Sequence, residues 1–64
     1  MNGNYKIIDT MEDKVYIGTV QELENLTGIN RVYYNWYATH NLMYQFRFWI
    51  HRLNVHGEVK DYQG

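Results

Sequence analysis

The clearest pattern along the chain is an alternation of side-chain types over residues 44–53. One alternate set is Tyr44, Phe46, Phe48 and Ile50, and the other is Gln45, Arg47, Trp49 and His51. Successive side chains of a strand point to opposite faces, so this pattern predicts a final β-strand over 44–53. If helices cover the first set, then Arg47, Trp49 and His51 line a second face that is open to solvent.

Two runs near the start of the chain have the composition of strands. Residues 5–9 and 15–19 are rich in β-branched and aromatic side chains, and the polar residues 10–14 between them have the length of a hairpin connection. Such a pair of runs predicts an antiparallel hairpin over residues 5–19.

Helix boundary signals follow the hairpin. Thr19 and Glu22 have the spacing of a capping box, in which each side chain accepts a hydrogen bond from the backbone N–H of the other residue. A helix is therefore predicted to begin at residue 20, and Gly28 is placed to end it in a left-handed conformation. Asn30 is a second N-cap and opens a helix over residues 31–39.

Helical spacing indicates which apolar side chains share a face in each of these two helices. The apolar positions are Val20, Leu23 and Leu26 in the first helix, and Val32, Tyr33, Trp36 and Tyr37 on one face of the second. The second helix must bury Trp36 or Tyr37. Its other faces carry Arg31, Tyr34 and Asn35.

The order of elements is β-β-α-α-β, and the sequence leaves open a short fourth strand over residues 54–62. This order predicts an α+β fold in which a small antiparallel sheet packs against two short helices. A chain of 64 residues has room for one small domain, so 1–64 is predicted to be a single unit. Its parts are the hairpin 5–19, the helix pair 20–39, the final strand 44–53 and a frayed tail over 58–64.

Several residue types are missing, and their absence narrows the function. The chain contains no cysteine, serine or proline, so disulfide-stapled secreted domains and enzymes with a serine or cysteine nucleophile are excluded. The three histidines are separated by eleven and five positions, which fits no zinc-ligand spacing. We therefore expect no metal, no cofactor and no enzymatic activity. No apolar run approaches the ~20 residues of a membrane helix, so a soluble, cytoplasmic protein without a membrane partner is expected.

Charge is distributed unevenly along the chain. The net charge is −1, yet residues 29–57 include no carboxylate and carry three arginines and all three histidines. This stretch is expected to present a mildly basic, aromatic surface to an anionic partner.

The two predicted helices resemble a helix-turn-helix. In bacterial regulators of this type an apolar first helix is followed by a turn glycine, an apolar residue and an N-cap that opens the recognition helix. Leu23, Gly28, Ile29 and Asn30 match that pattern, whereas Glu24 stands where such families prefer a small alanine.

A second resemblance covers more of the chain. The strand at 15–18, the segments 19–23 and 26–29, the aromatic second helix and the final arginine-aromatic strand are similar to small phage and mobile-element proteins of Gram-positive bacteria. They are also similar to the modular DNA-binding repeats associated with homing endonucleases. These resemblances imply a nucleic-acid-binding accessory or regulatory protein.

The expected binding residues follow from that function. Arg31 and Asn35 have side chains suited to guanine and adenine edges, and the resemblance places them on the helix that reads duplex DNA. Tyr34 is expected to contact the DNA backbone. Arg47 and Arg52 add phosphate contacts. The alternative is a protein-binding inhibitor of a host defence enzyme, similar to anti-CRISPR proteins, that uses the same aromatic surface.

Trp49 and His51 complete the expected partner surface. An exposed tryptophan flanked by cations is typical of a binding surface. A homodimer that forms through this face or through the edge of the final strand explains the same residues equally well.

Overall fold

Two antiparallel pairings build the sheet on which the rest of the molecule packs. The computed structural model describes residues 4–54. The elements are β1 (Tyr5–Asp9), β2 (Lys14–Gly18), α1 (Val20–Thr27), a 3-10 turn (Arg31–Tyr33), α2 (Tyr34–His40) and β3 (Phe48–Arg52). The strand order is β2-β1-β3. The predicted α+β class and the predicted hairpin are therefore confirmed, while the fourth strand and the frayed tail lie outside the described residues.

The central strand β1 sets the two faces of the sheet. Ile7 pairs with Tyr16 on one side and with Ile50 on the other, so these three side chains share a face. Both helices pack on this face. The buried cluster consists of Ile7, Leu23, Ile29, Tyr34, Ala38, Phe48 and Ile50.

The second face of the sheet, called the open face below, points away from the helices. Its residues are Lys6, Ile8, Val15, Ile17, Trp49 and His51, which follow from the strand register. Val15 and Ile17 are 54% and 61% exposed. The sheet thus carries apolar side chains on both faces, but helices cover only one of them.

Local capping interactions fix both ends of α1. Thr19 Oγ1 accepts from the Glu22 N–H at 3.2 Å, and Glu22 Oε1 accepts from the Thr19 N–H at 2.9 Å. Gly28 has φ 79°, and its N–H donates to the Glu24 carbonyl at 2.9 Å. The predicted capping box and left-handed glycine cap are both confirmed.

The second helix begins at the predicted cap but not with regular α-helical geometry. Asn30 Oδ1 accepts from the Val32 N–H at 3.0 Å, and the chain makes one 3-10 turn before α2 begins at Tyr34. A 3-10 turn advances each residue by more than an α-helix does, which shifts the phase of the side chains that follow. Tyr34 and Ala38 face the core as a result, which sequence spacing did not predict for Tyr34.

The final strand is shorter than its alternation predicts. Instead of continuing β3, residues 44–48 form a tight turn in which the Tyr44 N–H donates to the Phe48 carbonyl at 2.8 Å. Phe46 is consequently 93% exposed and not on the face of Phe48. The reason that β3 begins only at Phe48 is the length of β1. The last residue of β1, Asp9, pairs with Phe48, and the next turn begins at Thr10.

Replacing Gly28 with alanine is expected to lower the free energy of unfolding by about 1 kcal/mol, because a Cβ disfavours the left-handed conformation. No atom within 4 Å would obstruct the added Cβ, so the loss reports backbone conformation alone. Urea denaturation measures it. Gly28→Asn is the control and should lose less, since asparagine tolerates this conformation. An alanine variant as stable as the wild type would contradict the left-handed conformation assigned to Gly28.

Candidate binding surface

Five aromatic side chains gather along α2 and the loop that follows it. We call this group the α2 patch: Tyr33, Trp36, Tyr37, His40 and Tyr44. Tyr33 comes from the 3-10 turn, the next three come from α2, and Tyr44 comes from the loop before β3. Helical spacing places Tyr33, Tyr37 and His40 along neighbouring positions of one surface.

Direct ring contacts hold the α2 patch together. The Tyr44 ring centroid lies 5.2 Å from that of Tyr33 and 5.3 Å from that of Tyr37. The Trp36 ring lies edge-on to Tyr37 at 4.9 Å and stacks on His40 at 4.0 Å with an interplanar angle of 15°. His40 Nδ1 is also 2.8 Å from the Trp36 carbonyl oxygen. These contacts restrict the rotation of rings that would otherwise move freely at the surface.

The α2 patch is only partly covered by the protein itself. Tyr33 is 41% exposed and Trp36 48% exposed. Val32 precedes Tyr33 in the chain and Leu42 follows α2, and they are 70% and 49% exposed. The chain has no carboxylate between residues 29 and 57. The surface around α2 is therefore aromatic and apolar, and the chain segment that contains α2 contributes no negative side chain to it.

Arg31 lies at the start of the second helical segment, as expected, but its side chain binds Glu24. The guanidinium Nε and Nη2 donate to Glu24 Oε1 at 3.1 and 2.8 Å, and the Arg31 N–H donates to Oε2 at 2.7 Å. These hydrogen bonds lower the pKa of Glu24 and raise that of Arg31. Glu24 thus joins α1 to the following turn, and Arg31 remains half-exposed.

Tyr34 is part of the core, which corrects the expectation that it contacts a DNA backbone. It is 1% exposed, and its hydroxyl donates to the Ile29 carbonyl at 3.0 Å. Burial raises the pKa of Tyr34. A side chain in this position stabilises the fold and cannot reach a phosphate.

Asn35 and Arg52 are brought together from two elements. Arg52 Nη1 donates to Asn35 Oδ1 at 2.9 Å, which connects the outer surface of α2 to the end of β3. Asn35 itself is exposed. The two predicted binding residues are neighbours, but they are engaged with each other.

Arg47 does not line the open face. Its Nε and Nη2 donate to Asp9 Oδ1 and Oδ2 at 2.8 and 2.7 Å, and its guanidinium lies 4.7 Å from the centroid of the Phe48 ring. Arg47 precedes β3 in the turn, so the alternation that placed it beside Trp49 does not extend to it.

Asp9 is the partner of Arg47, which sequence spacing does not predict. It is 2% exposed, and its Oδ1 also accepts from the backbone N–H groups of Met11 and Glu12 at 3.0 and 3.1 Å. The hydrogen bonds from Arg47 hold the pKa of Asp9 at about 2, below its ordinary value of 3.8. An aspartate directly before a polar turn is a recognised turn signal, but the sequence does not reveal its distant arginine partner.

Trp49 and His51 lie on the open face, on the opposite side of the sheet from the α2 patch. Their rings are nearly parallel, with an interplanar angle of 12° and centroids 6.3 Å apart. Both side chains are half-buried. The predicted site residues therefore do not form one site. Trp49 and His51 lie on the open face, Tyr34 lies in the core, Arg47 lies in the turn before β3, and the others lie near the 3-10 turn and α2: Arg31, Asn35 and Arg52.

The helix pair differs from a helix-turn-helix in its packing. Within residues 4–54, no Cα atom of α1 lies within 8 Å of a Cα atom of α2. α1 packs against β1, β2 and the 3-10 turn, whereas α2 packs against β3. In a helix-turn-helix the first helix supports the second directly, whereas here α1 contacts the 3-10 turn that precedes α2, and β3 packs against α2 itself.

Between residues 4 and 54, no group of three or more histidine, aspartate or glutamate side chains is arranged to hold a metal ion. Over the same stretch, no helix has the length and apolar character needed to cross a membrane.

Comparison of the chain with protein-family models, with curated proteins and with solved structures found no match.

Replacing Asp9 with asparagine is expected to lower the urea midpoint at about pH 7, because the charged hydrogen bonds to Arg47 are lost. The folded-state pKa of Asp9 is depressed to about 2, so its stabilising effect is complete above the ordinary pKa and disappears as the pH falls from about 5 to about 2. The difference between wild type and variant should shrink over that range.

Asp13→Asn is the matched control for the Asp9 variant. It removes an exposed carboxylate from the same turn, and asparagine tolerates the left-handed conformation of that residue, φ 56°. We expect its urea midpoint to stay close to that of the wild type. Equal losses in the two variants would show that the Asp9–Arg47 pair does not stabilise the protein.

Proposed function

We propose that this protein is a small binding domain that recognises another protein through the α2 patch. The observation that supports this proposal most strongly is the contiguous set of rings in the α2 patch. Tyr33 and Trp36 are nearly half-exposed, while Tyr37 and Tyr44 are partly buried against the core and support them from below. Tyrosine and tryptophan are the side chains that contribute most to protein–protein affinity when a partner covers them.

The ring contacts also favour tight binding. Ordering a flexible side chain at an interface costs about 0.5–1.5 kcal/mol. Trp36 is already stacked on His40, and Tyr33 is already held by Tyr44 and Tyr37. Less ordering is therefore required when a partner covers the α2 patch than for rings that are mobile in the free protein.

The arginines of the described chain favour a protein partner over a phosphate backbone. Binding to DNA requires cations that are available to neutralise phosphates. The Nη2 atoms of Arg31 and Arg47 each lie within 2.8 Å of a carboxylate oxygen, and Arg52 donates a hydrogen bond to Asn35. An inhibitor of a host defence enzyme is one form that such a protein-binding function takes.

Duplex DNA is the second candidate partner, and one observation favours it. The Asn30 cap places Arg31 at the start of the helical segment with its side chain 56% exposed, and Asn35 follows one turn later. In this case Arg31 exchanges Glu24 for a base or phosphate. The resemblance to phage proteins and to DNA-binding repeats agrees with this candidate.

Trp36→Ala tests the protein-binding proposal. A partner captured from a bacterial lysate by the wild-type chain is purified and titrated against both proteins by calorimetry. We expect the variant to bind at least about tenfold more weakly, as is typical for a central aromatic residue. Ile17→Ala is the control, because it removes exposed apolar area from the open face, and its affinity should match that of the wild type.

A salt-dependent DNA titration separates the two candidates. Fluorescence anisotropy of a mixed-sequence duplex is measured at about 50 mM and about 200 mM salt, a range over which phosphate binding weakens steeply. We expect no binding at either concentration. Salt-sensitive binding that is lost in Arg31→Ala would contradict the protein-binding proposal and support the DNA candidate.

A further inference from the structure

Two turns meet at one end of the sheet. Asp9 pairs with Lys14 and with Phe48, so the β1–β2 turn over residues 10–13 and the turn over residues 45–47 leave the sheet side by side. We call these two turns together the turn end. Thr10 connects them directly, since its N–H and its Oγ1 both donate to the Arg47 carbonyl, at 3.0 and 2.6 Å.

Each turn presents one large apolar side chain to solvent. Phe46 is 93% exposed and Met11 is 71% exposed. An apolar side chain stabilises the folded state when it is buried, and these two exposed side chains contribute little stabilisation of this kind. The folded chain therefore does not explain why phenylalanine stands at position 46.

The backbone of the second turn is unfavourable for the residues it contains. Gln45 and Phe46 have φ values of 54° and 57°, in the left-handed region. Turns with two such residues normally contain asparagine or glycine, because a Cβ, and above all a bulky side chain, is disfavoured there. Phe46 thus combines full exposure with a strained conformation.

A network of hydrogen bonds maintains that conformation. Arg47, the residue after Phe46, is held by both carboxylate oxygens of Asp9 and by the two bonds from Thr10. The same Asp9 carboxylate accepts from the Met11 N–H. One buried carboxylate therefore binds the side chain that follows Phe46 and the backbone N–H of Met11, while Thr10 holds the backbone carbonyl of Arg47. Strain that the surrounding structure maintains is characteristic of residues with a function.

We propose that Phe46 and Met11 form an anchor that inserts into an apolar pocket of the protein partner. This inference rests on the proposed protein-binding function and extends it to a second contact. The anchor lies next to the α2 patch along the chain, because Tyr44 of that patch is separated from Phe46 only by Gln45. Both contacts can therefore be made by one partner.

The charge of the turn end indicates which kind of side chain surrounds the pocket of the partner. Asp9 and Arg47 neutralise each other, which leaves Glu12 and Asp13 against Lys14 among the exposed side chains of this end. The net charge of the exposed side chains around Met11 is therefore negative. A pocket with basic side chains at its rim is the complement of this surface.

The first test uses the protein alone. Phe46→Asn places a residue that tolerates the left-handed conformation at an exposed position, so the thermal midpoint should rise by a few degrees. Gln45→Asn relieves the same kind of strain while it keeps the exposed ring, and it should also raise the midpoint. A lower midpoint in Phe46→Asn would show that the ring stabilises the fold, which would overturn the inference.

The second test measures binding to the purified partner by calorimetry. We expect Phe46→Asn to bind at least about tenfold more weakly, while Gln45→Asn binds like the wild type. Wild-type affinity in Phe46→Asn together with weakened binding in Trp36→Ala would overturn the anchor and leave the proposed function intact. Weakened binding in Phe46→Asn with full affinity in Trp36→Ala would reject the α2 patch and retain the anchor.

Two other occupants of the turn end are examined with the same variants. Analytical ultracentrifugation detects a second copy of the chain, and co-sedimentation with phosphatidylcholine vesicles detects a lipid surface. We expect neither. Self-association or vesicle binding that is lost in Phe46→Asn and kept in Gln45→Asn would overturn a foreign protein as the occupant.

Discussion

The ion pair between Asp9 and Arg47 is the interaction on which one end of the structure depends. The two residues are 38 positions apart, and their paired hydrogen bonds connect the end of β1 to the turn before β3. Asp9 is almost fully buried, so the loss of its partner would leave a carboxylate without a compensating charge. The same carboxylate organises the β1–β2 turn. Strand register, turn geometry and the display of Phe46 are therefore coupled through one pair of side chains.

Ion pairing also determines the chemistry of the molecular surface. Arg31 and Arg47 are both engaged with carboxylates of the same chain, so two of the three arginines in the carboxylate-free stretch are paired with negative side chains. Its aromatic residues remain outside, and their mutual contacts keep them in place. A surface of this kind is better matched to the apolar and polar groups of a protein than to a row of phosphates.

The parts of the fold that sequence predicts are those that depend on neighbouring residues. The capping box at Thr19 and the left-handed Gly28 follow from local hydrogen bonding, and both are present. The burial of Tyr34 depends on a 3-10 turn that no local pattern announces. The exposure of Phe46 depends on where β1 ends, because alternation continues along the sequence after the neighbouring strand has stopped. Pairing of Arg47 with Asp9 is likewise a tertiary event, and no local pattern in the sequence predicts it.

The central claim is that a protein partner covers α2 and the turn that follows it. Nuclear magnetic resonance of the isotope-labelled chain, titrated with the unlabelled partner, locates the contact residue by residue. The account predicts that the amide signals of residues 33–40 and 44–46 shift most and that those of β2 (Lys14–Gly18) stay in place. Shifts concentrated on β2 and around Trp49, with α2 unaffected, would place the partner on the open face and contradict the account.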